Sequence, residues 1–158
     1  MTEDVAEKGE KEVRLTIIAV IRAHLLDPSA STTWCGRDLN LTGATFDGGS
    51  FEGVWFTAGE VSFRGARFMG GEGEEVSFHQ ANFAGAEVPF YGARFTSGRV
   101  WFSSAQFTAG RVHFDGAQFT GASVTFLFAD FTGGKVSFDG ASFVSGDVSF
   151  WKVGVQSS

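Results

Sequence analysis

The sequence predicts an all-β solenoid, a four-sided tube of short parallel strands with one α-helix at its N-terminal end. Phenylalanine accounts for 19 of the 158 residues, against four Trp and one Tyr. From Phe46 onward the phenylalanines lie five residues apart within a pair and mostly seven apart between pairs. Ala or Val stands two positions before most of them. Because a period of five suits neither a helix nor a hairpin sheet, we expect repeating coils around a long, thin phenylalanine core.

The N-terminal part of the chain predicts a disordered start and then a helix. Residues 1–9 are charged and contain a glycine, a composition that favours disorder. Across residues 10–26, apolar side chains recur about every four positions and form a broad stripe. They are Val13, Ile17, Ile18, Val20, Ile21, Leu25 and Leu26. Pro28 ends the helix because proline cannot continue it. Since a solenoid exposes apolar surface at its ends, we expect this helix to cap the first coil.

A polar connector is predicted between the helix and the first coil. Trp34 is the only large apolar side chain within it, and we interpret Trp34 as a plug on that coil, with a binding role as the alternative. Cys35 is interpreted as a small buried residue. The predicted organisation is a disordered start and capping helix at 1–30, the connector at 31–38, the β-helix at 39–151 and a C-terminal tail at 152–158.

The phenylalanine spacing explains how short strands can close into a tube. Side chains of a strand alternate between faces, so a small residue and a phenylalanine two positions later both point inward, as Ala44 and Phe46 do. The next residues turn the chain, and glycines there supply the positive φ that a corner needs. The predicted core ladder consists of Phe63, Phe68, Phe78, Phe83, Phe90, Phe95, Phe102, Phe107, Phe114, Phe119, Phe126, Phe131, Phe138, Phe143 and Phe150.

Sides of five and seven residues alternate, so four sides give a twenty-four-residue coil, and between four and five such coils fit the chain. This period predicts that Glu75 lies beside Arg99 on the outer surface, and Glu87 beside Arg111. Exposed pairs of this kind contribute only about 0–1 kcal/mol, so we interpret them first as solvated ladders and second as a binding patch. An insertion at residues 70–75 interrupts the period. It is either a solvated extension of one corner or a group of carboxylates that attracts a cation or a basic partner.

Composition excludes several classes of function. The formal net charge of −6 argues against direct binding of nucleic acid, which needs clustered Lys and Arg. One cysteine cannot form an internal disulfide, which favours a cytoplasmic protein. The acidic first residues lack the basic flank of a secretory signal. The most apolar run, residues 15–26, is too short to span a membrane.

The sequence predicts no enzyme, cofactor site or metal site. His24, His79 and His113 are scattered and none of them has a partner at ligand spacing. Serines and threonines occupy outward positions of the repeats, and each glycine is explained by a corner, so neither a catalytic triad nor a phosphate-binding loop is indicated.

Outward aromatic residues and the insertion are the candidate interface. Aromatic side chains are enriched at protein interfaces, and the tube points several of them outward. The candidate interface residues are Trp55, Tyr91, Trp101, Trp151, Glu72, Glu74 and Glu75. The last coil also presents an apolar edge, which predicts a homodimer through the C-terminal coil. The sequence does not identify any other protein partner.

The repeating units resemble those of the pentapeptide-repeat proteins. Units such as A-x-F-x-x and V-x-F-x-G run from about residue 39 to residue 150, and V-x-F-x-G-A-x-F units are similar to the actinobacterial type of that family. The resemblance implies a right-handed quadrilateral β-helix with the central residue of each unit stacked inside. This sequence departs from the simplest pattern by alternating sides of five and seven residues.

Two functions follow from the fold and the resemblance. The first is a non-enzymatic structural module that binds other proteins. The alternative is the role of those family members that mimic DNA, bind a type II topoisomerase and protect it from quinolones. That role needs a long, strongly negative surface. The acidic columns here are interrupted by Arg64, Arg67, Arg94, Arg99, Arg111 and Lys135, which favours the first function.

Overall fold

A parallel four-sided β-helix of about five coils follows one N-terminal α-helix in the computed structural model, which describes residues 2–71 and 74–150. The predicted fold class is confirmed. The helix, α1, spans Thr2–Ala23. In chain order the strands are β1 (Leu39–Asn40), β2 (Thr45–Phe46), β3 (Gly49–Ser50), β4 (Trp55–Phe56), β5 (Val61–Ser62), β6 (Arg67–Met69), β7 (Glu75–Ser77), β8 (Asn82–Pro89), β9 (Arg94–Ser97), β10 (Arg99–Trp101), β11 (Gln106–His113), β12 (Gln118–Phe119), β13 (Ser123–Thr125), β14 (Lys135–Ser137), β15 (Ser142–Phe143) and β16 (Asp147–Ser149).

Successive coils stack their strands into four faces. The first face begins with β1 and β5 and continues through the C-terminal halves of β8 and β11 to β14. The second face contains β2, β6, β9, β12 and β15, and the third contains β3, β7, β10, β13 and β16. The fourth face contains β4 and the N-terminal halves of β8 and β11. These last two strands are long because each runs through the corner between the fourth and first faces.

Strand register confirms the twenty-four-residue coil for the later part of the tube. On the third face Val100 pairs with Val124, and Val124 with Val148. The first coil is slightly shorter than this period, since Phe46 pairs with Phe68. The next step, from Phe68 to Phe95, is slightly longer than the period, because the insertion lies at the corner between the second and third faces.

Phenylalanine rings fill the tube in stacks that run along its axis. Phe63, Phe90 and Phe114 stack with ring centroids 4.7 Å apart. Rings on opposite faces, the first and the third, meet edge to face, as Phe90 and Phe102 do at 6.0 Å. Both arrangements are favourable for aromatic pairs. The largest fully buried side chains include Phe51, Phe56, Phe63, Phe68, Phe78, Phe83, Phe90, Phe95, Phe102, Phe107, Phe114 and Phe119.

Among the described residues, the last coil is covered on one side only. Its rings continue the stacks, with Phe143 4.8 Å from Phe119 and Phe150 4.7 Å from Phe126. Phe143 is nevertheless 55% exposed and Phe150 46%. Phe131 is similarly exposed. The ladder is therefore deeply buried as far as Phe126, and its terminal rings form an apolar surface.

The expectation of a disordered segment at residues 1–9 and a helix from Glu10 was wrong. In the structure α1 already begins at Thr2 and ends at Ala23. Glu and Lys, which make up three of these nine residues, are good helix formers. Just beyond the segment, an i,i+4 ion pair joins Glu10 to Arg14. The charged composition that suggested disorder therefore also suits the exposed first turns of a helix.

The helix caps the first coil through part of its apolar stripe. Ile18 and Leu25 are buried in the core and Ile21 packs partly against it, whereas Val13 and Ile17 remain about half exposed. The apolar stripe is wider than the surface that contacts the tube. The side of the helix that contains Ile18 packs on the tube because Gly49, on the first coil, has no side chain to obstruct it. A Cβ on Gly49 would lie 2.8 Å from Cδ1 of Ile18.

A backbone hydrogen bond shows that the cap substitutes for a missing coil. The amide of Trp55 donates to the carbonyl oxygen of Leu25, at 2.8 Å. One coil later, the amide of Asn82 donates in the same way to the carbonyl oxygen of Val54. The chain after α1 thus satisfies a donor that would otherwise lack an inter-coil partner.

One column of corners has a conformation that the glycine pattern did not predict. Gln80, Ser104 and Phe128 have φ of 57°, 56° and 60°, in the left-handed region that side chains disfavour. They follow the phenylalanines of the third face. On the first face, glycine fills the equivalent position, for example Gly116. Conversely, the pattern of corner glycines predicts positive φ for Gly134, and the structure does not show it. Glycine is still suited to this position, because a Cβ here would lie too close to the backbone of Phe107.

Candidate interaction surfaces

The insertion and the first coil contact the capping helix through a cluster of ion pairs formed by Lys11, Arg14, Asp47 and Glu74. Arg14 binds Asp47 with two nitrogens, Nη2 to Oδ2 at 2.6 Å and Nε to Oδ1 at 3.2 Å. Nζ of Lys11 lies 2.5 Å from Oε2 of Glu74. Glu74 was predicted to face a partner, but here it binds the protein's own helix. Sequence reasoning missed this contact because the helix and the insertion are far apart in the chain.

The Arg14–Asp47 pair predicts a pH-dependent contribution to stability. The hydrogen bond from Arg14 lowers the pKa of Asp47 below its ordinary value of 3.8, against a smaller opposing effect of burial. Because the folded-state pKa is lowered, this stabilisation is fully present above the unfolded-state pKa and is lost as pH falls through the folded-state pKa. Asp47→Asn is expected to lower the free energy of unfolding by about 1–2 kcal/mol at neutral pH. Denaturant titrations should show that this difference shrinks as the pH is lowered below 3.8.

An exposed aspartate provides the control for this prediction. Asp147 lies on the last coil, and among the described residues its side chain forms no ion pair. Asp147→Asn should therefore change stability little at either pH. An Asp47→Asn deficit of equal size at neutral and acidic pH would contradict the assignment to the ion pair.

Tyr91, a predicted interface residue, is held within the protein's own surface. The guanidinium of Arg64 lies over its ring, 4.8 Å from the centroid, and the His113 ring stacks on it at 5.1 Å. Arg64 also pairs with Glu60 at 3.3 Å, and Nε2 of His113 lies 3.0 Å from Oε2 of Glu87. Tyr91 thus connects its own coil to the preceding and the following one by cation–π and stacking contacts, and it presents only part of its surface.

The two outward tryptophans within the described residues are half-buried. Trp55 lies on the fourth face and Trp101 on the third. Trp101 lines a surface groove together with Glu75 and His79. Of the predicted interface residues, the structure brings these two candidates, Trp101 and Glu75, into one site. Trp151 and Glu72 lie outside the described residues.

The predicted charge columns occur in the structure. Arg99 pairs in register with Glu75 and with Ser123, and Arg111 pairs with Glu87 and Lys135. Arg111 lies 3.8 Å from Glu87. The strand register thus places opposite charges on neighbouring coils, as the twenty-four-residue period predicted.

Trp34, by contrast, belongs to the cap. Its ring stacks on His24 at 3.9 Å and packs partly against the core. Cys35 is partly buried and its thiol lies 3.5 Å from the carbonyl oxygen of Leu25. Both residues seal the junction between α1 and the first coil.

Within residues 2–71 and 74–150, no three His, Cys, Asp or Glu side chains are grouped closely enough to bind a metal ion. The described part of the chain also has no helix that is both long and apolar enough to cross a membrane.

Comparison with known proteins agrees with the repeat pattern. The family model described as pentapeptide repeats (9 copies) matches residues 35–71. A search of curated proteins found no match. Among solved structures, the chain is similar to HetL, a pentapeptide repeat protein involved in heterocyst differentiation regulation from the cyanobacterium Nostoc sp. strain PCC 7120, with 16% identity and a TM-score of 0.15. The match covers 68% of this chain and 57% of the HetL chain, so it extends over less than two thirds of HetL.

Proposed function

We propose that this chain, whose residues 35–71 match the family model of pentapeptide repeats, is a non-enzymatic structural module that binds other proteins through its outer surface. Stacked phenylalanines occupy its interior, so the tube offers no internal substrate site. The charged side chains that approach one another, such as Arg14 and Asp47, form stabilising pairs. A lone cysteine favours a cytoplasmic location.

The exposed apolar C-terminal coil carries this proposal. Phe131, Phe143, Val144 and Phe150 are each more than two fifths exposed, and Val144 is 73% exposed. The three rings end three different stacks, on Phe107, Phe119 and Phe126, which would continue if another coil were added, and Val144 directly follows Phe143 in the chain. A second copy of the chain, joined end to end, would cover these rings and extend the core across a two-fold axis. The module is accordingly proposed to act as a homodimer.

Sedimentation velocity over a range of protein concentrations tests this proposal. The unmodified protein is expected to dimerise, and Val144→Asp to shift it to the monomer because a charge would be buried in the interface. Val5→Asp is the matched control, since Val5 is also 73% exposed but lies on the capping helix. A protein that stays monomeric up to concentrations on the order of 100 μM, or one that only Val5→Asp dissociates, would overturn the proposed dimer.

The topoisomerase alternative has less support from the described surface. All six basic residues that interrupt the acidic columns are exposed, and Arg67 pairs in register with Arg94 on the second face. Adjacent positive charges on one face oppose the uniformly negative surface that a DNA mimic requires. A supercoiling assay distinguishes the two functions, because only a DNA mimic would inhibit gyrase.

A further inference from the structure

A groove on the third face combines an indole ring with two carboxylates. It has a volume of about 420 Å³, and its lining includes Trp101, Ser77, Glu52 and Glu75. Trp101 pairs in register with Ser77 of the preceding coil. Because serine is small, space remains beside the indole on the side toward the capped end. The groove therefore forms where one large side chain lies beside smaller ones at the equivalent outward positions of the preceding coils.

The carboxylates in this groove form no ion pair with the described residues. Within the described residues, neither Glu52 nor Glu75 forms an ion pair, and no Lys or Arg lines the groove. Arg99 lies opposite Glu75 in the strand register, but no ion pair within 4.0 Å joins them. The groove thus combines an aromatic ring with two formal negative charges, which is complementary to a cation.

Polar groups around the indole are held in place. Nδ1 of His79 lies 2.9 Å from Oγ of Ser103, which fixes the imidazole at one side of the groove. Ser77 is 8% exposed, and its Oγ accepts a hydrogen bond from the amide of His79. The walls of the groove are therefore already ordered, which lowers the entropic cost of binding.

The same protein satisfies a similar arrangement with its own arginine on the first face. There the guanidinium of Arg64 lies 4.8 Å from the centre of the Tyr91 ring and 3.3 Å from the carboxylate of Glu60. Trp101 and Glu75 offer the same two groups, an aromatic face and a carboxylate, and no guanidinium among the described residues pairs with either of them. A planar guanidinium can stack on a ring while it donates hydrogen bonds to a carboxylate, which an ammonium does less well.

We propose that the Trp101 groove binds the guanidinium of an arginine side chain presented by a protein partner. This inference rests on the proposed function as a protein-binding module and identifies one contact of that module. Trp101 supplies the stacking surface, Glu75 and Glu52 supply the charge, and the ordered serine hydroxyls and His79 border the site.

The test uses Nα-acetyl-arginine methylamide as the probe and the indole N–H signals of the whole ¹⁵N-labelled protein as the readout. At low ionic strength the Trp101 signal, assigned with Trp101→Phe, is expected to shift saturably with a millimolar dissociation constant. Trp55 on the adjacent face provides an internal control whose signal should stay in place. Glu75→Gln is expected to weaken binding about fivefold, and the matched variant Glu60→Gln, on the first face, should leave the affinity unchanged.

Nα-acetyl-citrulline methylamide distinguishes charge recognition from simple packing, since it has nearly the same shape and no charge. The proposal would be overturned if the citrulline probe gave equal shifts or if the Trp101 signal did not respond to the arginine probe. It would also be overturned if methyl glucoside gave the saturable shift instead of the arginine probe. The result is independent of the sedimentation experiment. Val144→Asp can abolish the dimer while the groove still binds arginine, and an inert groove leaves the dimer intact.

Discussion

Phe90→Ala is expected to lower the free energy of unfolding by about 3–5 kcal/mol. Phe90 is fully buried in the middle of the tube, stacked between Phe63 and Phe114 at 4.7 Å. Removing its ring leaves a cavity that rigid neighbouring coils cannot close. Because each coil of a solenoid contacts only its neighbours, the loss also uncouples the two halves of the stack. Urea titrations followed by circular dichroism and tryptophan fluorescence should show a lower midpoint.

Phe143→Ala is the control for this prediction. Its ring occupies the same type of position but is 55% exposed and stacks on Phe119 from one side only. We expect a loss of about 1 kcal/mol, measured in dilute protein so that association does not contribute. Equal losses for the two variants would mean that the ladder is not the source of stability.

The fold could be predicted from the sequence because a single period fixes both the interior and the strand register. Once Phe95 and Phe119 are placed in the same stack, Arg99 must lie beside Ser123. The start of α1 could not be predicted in this way. In its N-terminal half, Lys11 binds Glu74 of the insertion, and composition alone contains no information about that contact.

The candidate surfaces were predictable only in part. The repeat identifies Trp101 and Tyr91 as outward residues, but not which outward residues are already paired. Tyr91 is flanked by Arg64 and His113, because the longer step that contains the insertion brings Arg64 next to it. The groove at Trp101 depends equally on the size of its neighbour Ser77. Local pairing of this kind follows from register and side-chain size together.

Gly110→Ala is expected to destabilise the protein by about 3 kcal/mol or more. Gly110 lies in β11 at the corner between the fourth and first faces, with φ of 76°. A Cβ there would lie 2.6 Å from the carbonyl carbon of Gly85 and would also collide with the carbonyl oxygen of Ala86. These are backbone atoms of the coil below, so relief requires the two coils to separate. Thermal and urea unfolding should both detect the loss.

Gly92→Ala separates this collision from the strain of the backbone conformation. Gly92 has a similar φ of 65°, but no atom lies within 4 Å of the position its Cβ would take. Its substitution should therefore cost only the left-handed strain, about 1 kcal/mol. If both alanine variants lose the same free energy, close packing of the corners contributes nothing. If Gly110→Ala loses about 2 kcal/mol more, the contact between β8 and β11 sets how closely successive coils can stack.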